Sequence, residues 1–373
     1  MSRHGEEREE RRKKGKIIKI IVAIIIIGIM GCCFLLYGPN SKFRDWIITV
    51  SMTSMTHQWI AETLYTQKTI DEVMANNRVD EIKEDTETDK ITISSTKKDE
   101  TEDANTTKTE VVQEKQYVDE YEKQILAPNL DKEEYNIYED HEEYRIINIK
   151  GKGYTGYLAA IYDPSKIHTL VTSRMGKTGQ YLTRMAKDNN AILAINGGKF
   201  YDPNYSSNGA TPRGVTYVNG KCVTSYSYTS TGGIIGFNKD DILVLSSNCT
   251  KASAEKLRIR DCVTCGPFLI VNGKASTVVG NGGWGTAPRT AIGQRKDGVV
   301  LWLVIDGRAI GRQGADMDDL IEIMKNYGAY NAANLDGGTS SVMAVNSKLI
   351  NDPIDSTGAH KTRFIATGFG LIE

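Results

Sequence analysis

The sequence carries almost no surplus charge. Its 46 Lys and Arg residues against 47 Asp and Glu leave a net charge of −1. No basic stripe lies beyond the N-terminus, which speaks against a broad nucleic-acid surface. Histidine is scarce. Of His4, His57, His141, His168 and His360, only His360 falls in a segment expected near a site. No nucleophile-elbow signal accompanies them, so a Ser-His-Asp triad is not expected. Cysteine is sparse as well. Cys32 and Cys33 fall inside an apolar run, and Cys222, Cys249, Cys262 and Cys265 fit no common zinc spacing. In an oxidising exterior these four can pair, with three connectivities open. Glycine is rare in the first half and frequent in the second, so the chain divides by composition.

The N-terminus carries a plain physical signal. Arg11 to Lys16 reads RRKKGK, and Ile17 to Gly38 reads IIKIIVAIIIIGIMGCCFLLYG, with no charge from Ile20 to Tyr37. About 20 apolar residues span a bilayer as a helix. The flanking cations place that end in the cytoplasm and the remainder outside. The run is long for a cleaved signal and lacks a small-x-small site after it. Ile29-Met30-Gly31-Cys32 is lipobox-like, but apolar residues continue past it. The segments read as a cytoplasmic tail (1–16), a transmembrane anchor (17–38), a membrane-proximal amphipathic stretch (39–66), a polar and largely disordered spacer (67–143) and a folded domain (144–373). The spacer is built of Thr, Glu, Asp and Lys and cannot bury enough surface to offset its ordering entropy.

In the domain the patterns predict an α+β fold: a mixed β-sheet core with flanking helices and hairpins. Tyr154–Asp163, Ile167–Ser173, Ala191–Ile195 and Ile242–Leu245 read as strands. Gln180–Asn189 reads as a helix. Asn219-Gly220 and Asn272-Gly273 mark two type I′ hairpins. Val299–Ile305 is a continuous apolar run, the mark of a strand covered on both faces. Asp316 caps a helix that Gly328 stops, and a short strand then ends at Leu335. If the strands before and after this helix lie parallel, Asp306 and Asp336 sit at the same sheet edge.

Three strands end alike: Ile195-Asn196-Gly197-Gly198, Ile305-Asp306-Gly307-Arg308 and Leu335-Asp336-Gly337-Gly338. Each puts one polar side chain at a strand tip and follows it with glycine, which lets a ligand approach the backbone closely. Any one alone is an Asx-turn. Three together, beside several arginines, point to a site beyond the strand ends.

These residues resemble the phosphodiester glycosidase family. The likeness rests on NGGKFYDPNYSSNGATPRGVTYVNGK, CGPFLIVNGK, APRTAIGQRKDGVVLWLVIDGR and AANLDGGTSSVM, in the family's order, from about Tyr154 to Glu373. The anchor and spacer resemble bacterial cell-surface, exopolysaccharide-related members. The resemblance implies site positions at Asn196, Gly197, Phe200, Arg289, Thr290, Asp306, Gly307, Arg308, Asp336, Gly337, Gly338 and Arg363. Two departures stand out. Thr339 replaces a glycine found in many members, and the segment after Arg363 reads FIATG.

The chemistry suits the residue types. Breaking a sugar's anomeric bond passes through an oxocarbenium-like cation, which a carboxylate stabilises or attacks. A phosphate leaving group needs positive charge more than acid help, and arginine offers a planar fork for its oxygens. The expectation is therefore Asp336 as nucleophile or base and Asp306 as second acid or sugar-orienting residue. Arg289 and Arg308 are expected on the phosphate. Asn196, Gly197, Thr290, Gly337, Gly338, Ser340 and Arg363 complete the substrate-binding set. Tyr201 and Trp284 are candidates to stack on sugar rings, and Trp302 is expected in the core. In the bland alternative, Arg308 and Asp336 form a buried ion pair that holds the strand tips. The expected partners are a sugar phosphodiester or glycopolymer and the membrane. No cofactor and no metal ligand are expected. Competing readings are a non-catalytic polysaccharide-binding or export-supporting module, and a phosphoesterase with a divalent cation on Asp306 and Asp336.

Overall fold

The computed structural model describes residues 3–39, 41–53, 57–93, 137–202 and 207–373. The chain forms two compact units, Met1–Asn77 and Arg78–Glu373.

The first unit is helical: Arg3–Tyr37, Ser41–Thr53, Gln58–Leu64 and Gln67–Asn76. Arg12–Tyr37 is long and apolar enough to cross a membrane, and its apolar side chains are unburied. The stretch expected to be amphipathic forms the two middle helices. Their inner faces meet the fourth in a small core of Ile48, Ala61, Ile70 and Val73. Two tyrosines fasten the first helix to the third. The Tyr37 hydroxyl donates to the Leu64 carbonyl at 3.0 Å, and the Tyr65 hydroxyl donates to the Leu36 carbonyl at 3.2 Å. Thr66 caps the fourth helix by accepting from the Thr69 N–H.

The second unit is α+β. Its eight-stranded sheet runs in the order Lys274–Ala275, Phe268–Val271, Ala329–Asn334, Arg289–Arg295, Val300–Asp306, Tyr154–Ile161, Tyr144–Gly151 and Ile137–Asp140. A five-stranded sheet is ordered Lys348–Leu349, Met343–Val345, Ala191–Asn196, Thr367–Ile372 and Ile167–Val171. The other five-stranded sheet is Leu243–Ser246, Gly233–Asn238, Ile259–Cys265, Val215–Val218 and Lys221–Ser225. Inner faces of all three sheets share one core, which includes Ile161, Ile195, Phe237, Val263, Trp302 and Phe369.

The apolar run at Val300–Asp306 is explained by burial on both faces. Trp302 and Val304 enter that shared core. Leu301, Leu303 and Ile305 enter a second core under the Met317–Asn326 helix, with Leu320 and Met324. Asp316 caps that helix in a reciprocal capping box with Asp319. Both predicted hairpins turn through left-handed Asn-Gly pairs, Asn219-Gly220 and Asn272-Gly273.

Two expectations change. The strands on either side of the Met317–Asn326 helix run parallel but do not pair. Arg289–Arg295 lies between them, antiparallel to both. Their ends still reach one sheet edge, about 10 Å apart at two strand spacings.

The segment expected as a spacer is also structured at both ends. Its start forms the fourth helix, and its end forms the edge strand Ile137–Asp140. Between them, residues 78–93 run as a strap over the second unit. Arg78–Asp80 pairs with Thr277–Val279. The Glu81 carboxylate accepts from the Phe268 N–H at 2.7 Å and the Gly232 N–H at 3.0 Å. Thr86 accepts from the Leu245 N–H, and the Asn272 side chain accepts from the Glu87 N–H. Composition misses the strap because hydrogen bonds hold it along much of its length, with only Val79, Ile82 and Ile91 packed as apolar anchors. The remainder of the expected spacer, 94–136, lies outside the described residues.

Glu81→Ala strands two N–H groups at once. It should destabilise the second unit by about 2 kcal/mol, read as a lower denaturant midpoint with an unchanged slope.

Candidate functional site

Asn196 ties the strand tips together. It ends the Ala191–Asn196 strand and is fully buried. Its Nδ2 donates to the Asp336 carbonyl at 2.7 Å. Its Oδ1 accepts from the Thr290 hydroxyl at 2.7 Å and from the Val342 N–H at 3.1 Å. The next residue continues the link: the Asp336 N–H donates to the Gly197 carbonyl at 3.0 Å. One carboxamide thus joins the tips of two sheets. Sequence reasoning placed Asn196, Gly197 and Thr290 on the substrate. Asn196 bonds Thr290, Val342 and Asp336, and Gly197 bonds Thr367 and Asp336, so all three brace the strand tips.

Asp336 stands on this frame. It is half-buried, and burial raises its carboxyl pKa above the ordinary value. The Ser340 hydroxyl bonds the carboxylate, and Arg363 and Lys199 act on it electrostatically in the opposite direction. The ion pair of the bland alternative, between Arg308 and Asp336, is not formed among the described residues.

Two glycines let the arginines close in. Gly337 lies against Arg289, where an added Cβ would sit 3.7 Å from Nη1. At Gly338, whose φ is +64°, the Cβ would sit 2.9 Å from Arg308 Nη2. A side chain at Gly338 would be strained twice, by backbone and by contact.

The two arginines differ. Arg289 is buried and donates to the carbonyls of Ala315 (3.2 Å), Trp284 (2.8 Å) and Gly285 (2.5 Å). No carboxylate pairs with it among the described residues. Burial lowers its pKa to about 10, partly opposed by Asp316. Arg308 has a left-handed backbone (φ 62°) and donates to Thr339 Oγ1 at 2.8 Å and the Ile354 carbonyl at 3.1 Å. It too lacks an ion-pair partner among the described residues. Thr339, the departure from the glycine-rich pattern, thus anchors Arg308. Arg363 pairs with Asp202 at 2.8 Å and lies 4.7 Å over the Phe200 ring.

Asp306 is the centre of a separate network. It accepts from Asn351 Nδ2 at 2.9 Å and from the Asp352 N–H at 3.1 Å, and Arg312 stands 3.5 Å away. Burial raises its pKa. Asp352 in turn pairs with Arg312 and His360, each at 2.6 Å. Asp306 therefore holds the 351–360 loop, which also supplies the Ile354 carbonyl to Arg308.

Sequence reasoning missed Lys199, Asn351, Asp352 and Arg312. Lys199 lay in plain view as the fourth residue of NGGKF. The 351–352 pair has no local signal, since it matters only by meeting Asp306 across 45 residues. Of the stacking candidates, Trp284 reaches the site, Tyr201 carries Arg213 at 5.8 Å, and Trp302 is in the core. No group of three or more His, Cys, Asp or Glu side chains fit to hold a metal ion occurs among the described residues. The six cysteines are free thiols. A cavity of about 490 Å³ under the strap, lined by Val79, Glu81, Thr231, Ser247 and Phe268, contains none of the expected site residues.

Residues 189–372 match the family described as phosphodiester glycosidase. That part of the chain is a domain of phosphodiester-glycosidase type, as the motifs implied. The solved catalytic domain of zebrafish N-acetylglucosamine-1-phosphodiester alpha-N-acetylglucosaminidase, auto-inhibited by its pro-peptide, aligns with a TM-score of 0.52 and 20% identity. The alignment covers 64% of this chain and 87% of that one, and at this identity the likeness is one of fold. The SPbeta prophage-derived uncharacterized protein YomE of Bacillus subtilis is 43% identical over 68 residues. Those residues are 18% of this chain and 11% of that relative, so the chain spans about a tenth of its length.

Asn196→Ala removes three buried hydrogen bonds. It should cost about 3 kcal/mol of stability, measured by denaturant unfolding, whereas a substrate contact would change binding alone.

Proposed function

We propose that this chain, whose carboxy-terminal domain is of phosphodiester-glycosidase type, hydrolyses the bond between a sugar's anomeric carbon and a phosphodiester. The observation that carries the reading is the charge pattern at one strand tip. A half-buried carboxylate, Asp336, stands beside cations with which it forms no ion pair, and two guanidinium groups lie against the glycines that follow it, Arg308 closely at Gly338 and Arg289 at ordinary contact distance from Gly337.

The chemistry follows from that pattern. As the glycosidic bond breaks, positive charge grows on the anomeric carbon and negative charge on the departing phosphate. Asp336, held by Ser340 and by its main chain on Asn196 and Gly197, faces the first. Arg289 and Arg308, which have no carboxylate partner among the described residues, suit the second. Arg289 keeps Nη1 clear of the carbonyls that take its other nitrogens. Asp306 acts through the 351–360 loop, or on the sugar directly, as second acid. The substrate class we assign is a glycopolymer joined through phosphate. The N-terminal apolar helix serves as an uncleaved anchor with its basic flank in the cytoplasm and the domain outside, a reading supported by Arg11–Lys16 and the length of the run.

Asp336→Asn should remain folded and lose about 10³-fold or more in turnover of a sugar 1-phosphodiester. Release of free sugar at the wild-type rate would reject the assignment. The pH profile gives a second check. Burial raises the Asp336 pKa, and only the ionised form can attack or act as base. Activity should therefore fall as pH drops through that raised value, with an acid limb above the ordinary carboxylate value of 3.8.

A further inference from the structure

Lys199 is placed with unusual firmness for a lysine. Its backbone is fixed on both sides: the N–H donates to the Thr264 carbonyl at 3.0 Å, and the carbonyl accepts from the Arg213 N–H at 2.9 Å. Its ammonium lies 4.8 Å from the centre of the Trp284 ring. It forms no ion pair or hydrogen bond among the described residues, although Asp336 is within its electrostatic reach. Trp284 is fixed in its turn. Its carbonyl accepts from Arg289 Nη2, and its ring packs against the core that holds Met317 and Leu320. The indole therefore has an inner side on the core and an ammonium over it, beside the carboxylate and the buried guanidinium.

We propose that Lys199 and Trp284 form a two-part subsite for a phosphorylated sugar, in which a phosphate that engages the Lys199 ammonium draws it off the indole and opens the ring face to the sugar. This rests on the reading above only for the identity of the ligand as a sugar phosphate. A cation over an aromatic ring in a partly exposed site is held weakly, while a charge-assisted bond from ammonium to phosphate is among the stronger polar contacts. The exchange therefore favours the phosphate. A sugar lacking phosphate must displace the ammonium without that return. The subsite thus selects phosphorylated over plain sugars.

The test is equilibrium binding to the full chain, followed by tryptophan emission. The probes are inorganic phosphate, glucose 1-phosphate and methyl glucoside. Phosphate and glucose 1-phosphate should both change the emission, and Trp284→Phe should abolish the change. Lys199→Met should weaken both by about 10-fold or more, while methyl glucoside should bind this variant at least as well as the wild type. Lys199→Arg, which keeps the charge, should restore most of the phosphate affinity and guards against a folding defect. Absence of a phosphate response, a response that survives Trp284→Phe, or a Lys199→Met affinity within about twofold of wild type would overturn the subsite. The two readings fail separately. Binding with these signatures but no release of sugar from any sugar 1-phosphodiester leaves the subsite and removes the hydrolase. Turnover with an unchanged KM in Lys199→Met does the reverse.

Discussion

A single buried carboxamide fixes where the Asp336 main chain stands. Asn196 donates to the Asp336 main chain and accepts from Thr290 and Val342. Its partners come from three separate stretches of chain, and its own strand belongs to a different sheet from those of Thr290 and Asp336. In an apolar interior each of these groups would be costly to leave unpaired, so the arrangement admits one register and no slack. The position of the Asp336 carboxylate is a consequence of that fixed joint.

Around this joint the charges do not balance locally. Arg289 and Arg308 donate to carbonyl and hydroxyl oxygens and form no ion pair among the described residues. Carbonyls hold a guanidinium in place without cancelling its charge. The contrast with the surrounding network is clear: Arg312 and His360 both meet Asp352, and Arg363 meets Asp202. The neutralised cations order loops, while the others retain charge that an anion can meet. Gly338 is a steric condition for this, since a side chain there would crowd the Arg308 guanidinium, while one at Gly337 would crowd the Pro288 carbonyl.

The rest of the domain serves rigidity. The Val300–Asp306 strand is buried on both faces, so its tip cannot drift. The strap of residues 78–93 adds a two-stranded pairing and places the Glu81 carboxylate on two backbone donors. It is joined in sequence to the helical unit, yet by hydrogen bonding and burial it is part of the second.

Much of this was legible in the chain itself. Alternation, apolar runs and Asn-Gly turns gave the major strands and hairpins, because local backbone preference and burial pattern act within a few residues. The glycine-following acids marked the strand tips on which the proposed site is built, since three such pairings are more than separate Asx-turns ask for, and the apolar helix of Arg12–Tyr37 was evident from length and charge alone. Three things were decided by tertiary structure. The strand Arg289–Arg295 entered between two strands expected to pair, a choice made by non-local packing. The bracing bonds of Asn196 and Thr290 were not visible in sequence because their partners lie more than ninety residues away. Lys199 met Trp284 across the fold, a pairing no local pattern announces. Sequence sets which chemical groups are present and how each short segment bends. Which groups satisfy one another, and which remain unpaired for a ligand, depends on distances that exist only once the sheets have packed.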